Sequence, residues 1–142
     1  MITCTSEIRV RYADTDQMRI AHHAKFFEYY EIARSDLLRS IGMGYGDVEK
    51  NGFYLPVIEA QARYKSPAYY DELITVETVI RERPSVKMKI EYEAKRNDLV
   101  LATGYTIHGF IDGKTGRPVR SPEFFDELIE KYYSPKTQNH KK

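Results

Sequence analysis

Two carboxylates and two imidazoles stand close together near the start of the chain, in Asp14-Thr15-Asp16 and His22-His23. They occupy a turn-prone stretch that leads straight into a helical pattern beginning near Ala24. A helix start offers free backbone N–H groups and a partial positive charge. An acid or imidazole held beside those donors can act on a carbonyl whose oxygen they polarise. The carboxylate can attack directly or deprotonate a water that attacks, and residue type does not separate the two. Asp16 can equally do no more than cap backbone N–H groups at the helix entry, so the pattern alone leaves both readings open. Asp14 is expected to be the structural member, bonding the loop backbone, and His22 to face solvent or pack in the loop. A metal site is not expected, because two acids two apart with adjacent histidines do not match tetrahedral zinc spacing and no cysteine helps.

The element that must position these groups runs from about Ala24 to Ile41. Phe26, Tyr30, Ala33, Leu37 and Ile41 recur at steps of three and four and give one apolar face. Phe27, Tyr29, Ile32 and Leu38 widen it, which predicts a helix packed on more than one side. Gly42 is a natural stop, since glycine takes the left-handed conformation at a helix end. Four strands follow the Gly-rich loop 42–52: Phe53–Lys65, Leu73–Arg83, 86–95 and Leu99–Ile111. The third of these alternates most cleanly, with Val86, Met88, Ile90, Tyr92 and Ala94 against Lys87, Lys89, Glu91, Glu93 and Lys95. Asn97-Asp98 predicts a hairpin. A first strand carries Ile8, Val10 and Tyr12 on one face, and Ser121-Pro122-Glu123 opens a short last helix. The order predicts an α+β layer architecture: an antiparallel five-stranded sheet around one long helix, with alternating charges on the sheet's far face.

Bulk properties narrow the function. The chain has 142 residues, 42% hydrophobic and 30% charged, with net charge +1. That is one ordinary domain, with a charge too balanced to advertise nucleic-acid binding. The domain is expected over 1–133, with 134–142 a loose basic tail. The single cysteine, Cys4, excludes an internal disulfide framework and suits a reducing compartment, so a cytoplasmic location is expected. No signal peptide and no membrane span are expected. The 12 tyrosines suit a half-buried sheet or a subunit interface.

Three blocks of this sequence resemble the hotdog-fold acyl-CoA thioesterases of the 4-hydroxybenzoyl-CoA thioesterase and YbgC-like branch. The first is Tyr12-Ala13-Asp14-Thr15-Asp16, then His23-Ala24, Phe26-Phe27 and Glu31-Ile32-Ala33-Arg34. The second is Ala62-Arg63-Tyr64-Lys65-Ser66-Pro67 with Asp71-Glu72-Leu73, and the third runs from Asp112 to Pro118. The resemblance implies a hotdog fold and hydrolysis of an acyl-CoA thioester to a carboxylic acid and coenzyme A. It implies Asp16 as the essential carboxylate, His23 in the site with its backbone N–H polarising the thioester carbonyl, and Tyr12 in the active site. It implies a homo-oligomer, dimer or tetramer, with the site at the dimer interface. Coenzyme A enters as part of the substrate, and no further cofactor is expected. The chain departs from the family at Arg19, where glycine is usual.

Coenzyme A brings phosphates, so cations should border the site. Arg81, Arg83, Lys87 and Lys89 flank one turn and are the expected phosphate contacts; Lys65, Lys95 and Arg96 are further candidates, although any one of these can simply be a solvated strand residue. Two rival readings keep the fold: a hydroxyacyl-thioester dehydratase, which would want a different placement of acid and histidine, and a non-catalytic acyl-CoA-binding protein, which Arg19 keeps open. An oligomeric scaffold using its tyrosines only for contacts is a third.

Overall fold

The computed structural model describes residues 1–134; the expected basic tail lies, from residue 135 on, outside the described residues. Five long strands are β1 (Ile2–Arg9), β3 (Val57–Tyr64), β4 (Leu73–Ile80), β5 (Lys87–Arg96) and β6 (Leu99–Asp112), with two-residue strands β2 (Phe53–Tyr54) and β7 (Pro118–Val119). Helices are α1 (Lys25–Ser40), α2 (Tyr45–Lys50) and α3 (Glu123–Tyr133). The long strands pair antiparallel in the order β1-β4-β5-β6-β3, and β2 and β7 pair the far end of β6. The α+β hotdog architecture expected from the sequence is present, with two short strands added. The expected strand over 53–65 is split at Pro56, which has no N–H to give a ladder.

Periodicity explains the core. Met88, Ile90, Tyr92 and Ala94 are buried beneath α1, as are Phe26, Tyr30, Ala33, Leu37 and Ile41 above them. Fully burying a side chain of the Leu or Phe class stabilises the fold by roughly 1.5–3 kcal/mol, so this seam fixes α1 on the sheet. Phe27 and Ile32 remain partly exposed on one protomer, so the wider apolar face is only partly covered within it. The Tyr30 ring stacks on Tyr92 with centroids 4.4 Å apart, directly over Gly104. A Cβ at Gly104 would lie 3.0 Å from the Tyr30 ring and 2.2 Å from the Gln61 carbonyl oxygen, so only glycine lets helix and sheet close here. Gly42 ends α1 at φ 88°, with the Met43 N–H returning to the Leu38 carbonyl.

Tyr12 is not at a strand end. β1 stops at Arg9, and Tyr12–Asp14 form a 3-10 turn. The buried Asp14 carboxylate accepts from the Arg11 N–H, the Arg11 guanidinium and the Tyr29 hydroxyl, which folds the chain back before an alternating strand could continue.

Candidate active site

Asp14 sets the base of the site and Asp16 its edge. Asp14 is 1% exposed and carries three kinds of donor at 2.9–3.0 Å. Burial alone would raise this carboxyl, but the Arg11 and Tyr29 hydrogen bonds outweigh it and hold it below the usual carboxylate range. Burial, then the Asp14 carboxylate, push the Tyr29 hydroxyl up in turn. The Asp14 carbonyl also accepts the His22 N–H at 2.9 Å, and Thr15 bridges Ala21, so residues 14–22 close into a small antiparallel loop. The Ala21 N–H to the Ala68 carbonyl and an Ile20–Tyr69 bridge pin that loop to the segment after β3.

At its tip the Asp16 N–H donates to the Ile20 carbonyl, and the Arg19 N–H to the Asp16 carbonyl, each at 3.0 Å. Asp16 Oδ1 accepts from the Met18 and Ile20 N–H groups at 2.8 and 3.2 Å. Its Oδ2 has no partner among the described residues. One oxygen therefore fixes the side chain while the other is available. Arg19 takes φ 63°, the left-handed region. Glycine adopts this backbone without strain, and a residue with a Cβ holds it at a cost of about 1 kcal/mol.

Asp16 lines a cleft of about 570 Å³ with Ile20, Ala21, His22, His23, Phe26, Tyr64, Lys65, Ser66 and Pro67. The cleft brings Asp16 and His23 together at the start of α1. The His23 ring stacks on His22 at 4.4 Å and meets Tyr64 edge-on at 5.6 Å. His22 does more than pack: its Nδ1 accepts the Ala24 N–H at 3.2 Å, one residue before α1 begins. The next N–H groups close on this turn too, Lys25 to the His22 carbonyl and Phe26 to the His23 carbonyl. The His23 backbone N–H is without a hydrogen-bond partner among the described residues. A free donor and a free carboxylate oxygen thus line one cleft, with Phe26 and Tyr64 as its aromatic wall.

The structure does not bring Tyr12 into this cleft. It is 69% exposed, and its ring meets Tyr70 edge-on. Arg81, Arg83, Lys87 and Lys89 lie elsewhere as well. Lys89 pairs Ile107 whereas Tyr64 pairs Ala102, which separates them by about 17 Å along β6 at the antiparallel rise. The β5 lysines also point away from α1. Lys89 lies over the Tyr105 ring in a groove of about 630 Å³ on the sheet's outer face, where Arg81 pairs with Glu91, while Arg83 pairs with Glu130. That groove is slightly larger, and its lining includes Glu77, Glu91 and Glu93 but no histidine and no residue of the α1 start. Within one protomer the cation that reaches the cleft is Lys65. Lys65 was one of the further phosphate candidates, whereas Tyr64 and Phe26 were not singled out for the site by residue type; the signal for Tyr64 is the block Ala62–Pro67, whose end meets the loop only in three dimensions.

Among the described residues no three or more His, Cys, Asp or Glu side chains gather as a metal site, and no helix is long and apolar enough to cross a membrane.

Residues 10–129 match the family model of the thioesterase-like superfamily. A Bacillus subtilis (strain 168) protein with the provisional name acyl-CoA thioesterase YneP is 32% identical over 92% of this chain and 95% of its own. The 1,4-dihydroxy-2-naphthoyl-CoA hydrolase of Synechococcus elongatus is 25% identical over 85% of this chain and 90% of its own. The crystal structure of DHNA-CoA thioesterase from Staphylococcus aureus superposes with a TM-score of 0.86 at 30% identity, covering 99% of this chain and 95% of that one. Loop, cleft and helix start together with these likenesses show that the chain belongs to the thioesterase-like superfamily and is a thioester-hydrolysing enzyme of hotdog fold.

Proposed function

We propose that the enzyme hydrolyses acyl-CoA thioesters in the cleft between the Asp16 loop and the start of α1. The observation that carries this reading is that Asp16 and His23 line one cleft while Asp16 Oδ2 and the His23 backbone N–H have no partner among the described residues. The thioester oxygen accepts from the His23 N–H, and the partial positive charge of the helix start favours the oxyanion that develops. Asp16 Oδ2 then attacks the carbonyl carbon, or takes a proton from the water that does. The C–S bond breaks, the thiolate leaves as coenzyme A after taking a proton, and water supplies the oxygen of the acid. The His23 ring, beside the reacting atoms, orients water or protonates the thiolate. Tyr12 enters only if substrate or a second protomer draws it in.

A homo-oligomer completes the site in this reading. β3 is an edge strand, and Val57, Ile58 and Tyr64 on it are all about half exposed. An open edge with exposed apolar side chains favours pairing with a second copy. That pairing would cover Tyr64 and close the cleft; a tetramer would build on the same dimer. One reduced cysteine fits a cytoplasmic setting.

The test is thiol release from a panel of acyl-CoAs, wild type against Asp16→Asn. The panel should include aromatic acyl groups, because Phe26 and Tyr64 wall the cleft and relatives act on a naphthoyl-CoA. Turnover that survives the substitution removes this mechanism.

A further inference from the structure

Arg19 stands out among the arginines around the site. Arg9 pairs with Asp71, Arg11 with Asp14, and Arg96 with Glu72. Arg19 has no carboxylate partner among the described residues, and its side chain is exposed. Its backbone is fully engaged, the N–H with Asp16 and the carbonyl with the Tyr70 N–H, in a left-handed conformation that glycine would adopt without strain. It sits in the turn between Asp16 and Ile20, both of which line the cleft. Lys65, from the opposite wall, also has no carboxylate partner among the described residues. Lys65 therefore lines the cleft and Arg19 stands in the loop that borders it, both without a carboxylate partner among the described residues, whereas Arg9, Arg11 and Arg96 are paired. A strained turn that keeps a long cation where glycine would fit better is explained if the guanidinium does work there.

We propose that Arg19, with Lys65, is a recognition site for the phosphate groups of the thioester's carrier, discriminating phosphate-bearing from phosphate-free thioesters. The proposal rests on the acyl-CoA thioesterase reading and adds to it which residues read the carrier. It moves that role from the outer-face cations Arg81, Arg83, Lys87 and Lys89 to the loop that holds Asp16. Guanidinium is suited to this work because its planar donors meet two phosphate oxygens at once and it stays charged at every working pH.

The experiment compares kcat/KM for one acyl group carried on coenzyme A, on dephospho-coenzyme A and on pantetheine, which carry successively fewer phosphates. In Arg19→Gly and Arg19→Gln the ratio of coenzyme A to pantetheine thioester should fall about fivefold to tenfold, and Arg19→Lys should keep most of it. The dephospho arm tells the 3′-phosphate from the pyrophosphate. A thermal melt separates charge from strain: only Arg19→Gly should gain stability, whereas Gly and Gln should lose the ratio alike. An unchanged ratio in both variants overturns the proposal. If wild type releases thiol from none of the three, the thioesterase reading falls instead. Calorimetric titration with free coenzyme A then still decides the rim: weaker binding in Arg19→Gln than in wild type upholds it, and equal binding overturns it.

Discussion

Two polar regions flank α1 and are built on opposite lines. Beneath the helix, Arg34 donates to the Tyr45 hydroxyl at 2.8 Å and reaches the Tyr92 hydroxyl at 3.5 Å. Tyr92 and Thr106 share a bond of 2.6 Å, Thr106 lies 2.9 Å from His108 Nε2, and His108 Nδ1 lies 3.3 Å from the Leu55 carbonyl oxygen. The Leu55 carbonyl can only accept, so Nδ1 carries the proton and Nε2 accepts from Thr106. The remaining donors then run in one direction, from Arg34 through Tyr92 and Thr106 to His108. Each buried group in this chain has a partner, and burial followed by Arg34 holds His108 neutral, down to about 4. At the helix start the opposite holds: Asp16 and His23 line the cleft, and Asp16 Oδ2 and the His23 N–H have no partner among the described residues. The first region spends its hydrogen-bonding capacity on fixing the helix to the sheet. The second leaves capacity unspent, which is what a substrate needs. Asp14 and Asp16, two residues apart, fall on either side of that division.

Exchanging the two carboxylates' roles is the most severe way to break this contrast. Asp16→Asn should lower turnover by about 10²–10⁴-fold and leave the melting temperature close to wild type, because the amide oxygen still accepts from Met18 and Ile20. Asp14→Ala should do the reverse at the level of folding. It strands the Tyr29 hydroxyl and the Arg11 donors and should cost about 3 kcal/mol in urea unfolding. Should Asp14→Ala fold as well as wild type, the buried carboxylate is not the structural member.

The buried chain also predicts a pH dependence. His108 titrates near 4 in the folded protein against an ordinary 6.5. Above pH 6.5 both states hold it neutral and there is no penalty. As pH falls, the unfolded chain takes up a proton that the native state refuses, so stability drops through the window from about 6.5 to 4. The full loss is about 3 kcal/mol. Urea unfolding of wild type and His108→Gln across that range measures it as a difference in slope, and parallel slopes would refute the neutral, buried assignment. The smallest effect is expected at Tyr30. Its hydroxyl is the one buried side-chain polar atom without a partner among the described residues. Tyr30→Phe should change stability by less than about 1 kcal/mol, in the stabilising direction. A clear loss would mean that this hydroxyl belongs to the satisfied network.

Much of the fold was legible because periodicity records which face of an element is buried. The α1 stripe survives folding residue by residue, and so does the β5 alternation except at Val86, which precedes the strand and is exposed. The break at Pro56 and the turn that removes Tyr12 from β1 were less visible, since each depends on a local hydrogen-bonding choice. In the case of Tyr12 that choice belongs to Asp14, whose preference for Tyr29 is a contact fifteen residues away. Ser121 shows the same limit. It opens the stretch that starts α3, yet its hydroxyl donates to the Asp126 carboxylate and Pro122 takes the cap position. Among the phosphate candidates, strand alternation placed Lys87 and Lys89 on the outward face correctly, yet sequence proximity says nothing about which end of the sheet meets the cleft.

The amino-acid order by itself determined the elements, the face each one buries, and a carboxylate next to a helix start, because these follow from spacing and local backbone preference. Only the tertiary structure decided that the end of β3 closes the cleft with Tyr64 and Lys65, that Arg19 holds a left-handed turn, and that Asp14 is buried while Asp16 keeps one carboxylate oxygen without a partner among the described residues. Those outcomes depend on which distant segments meet the loop, and long-range pairing leaves no period in the chain.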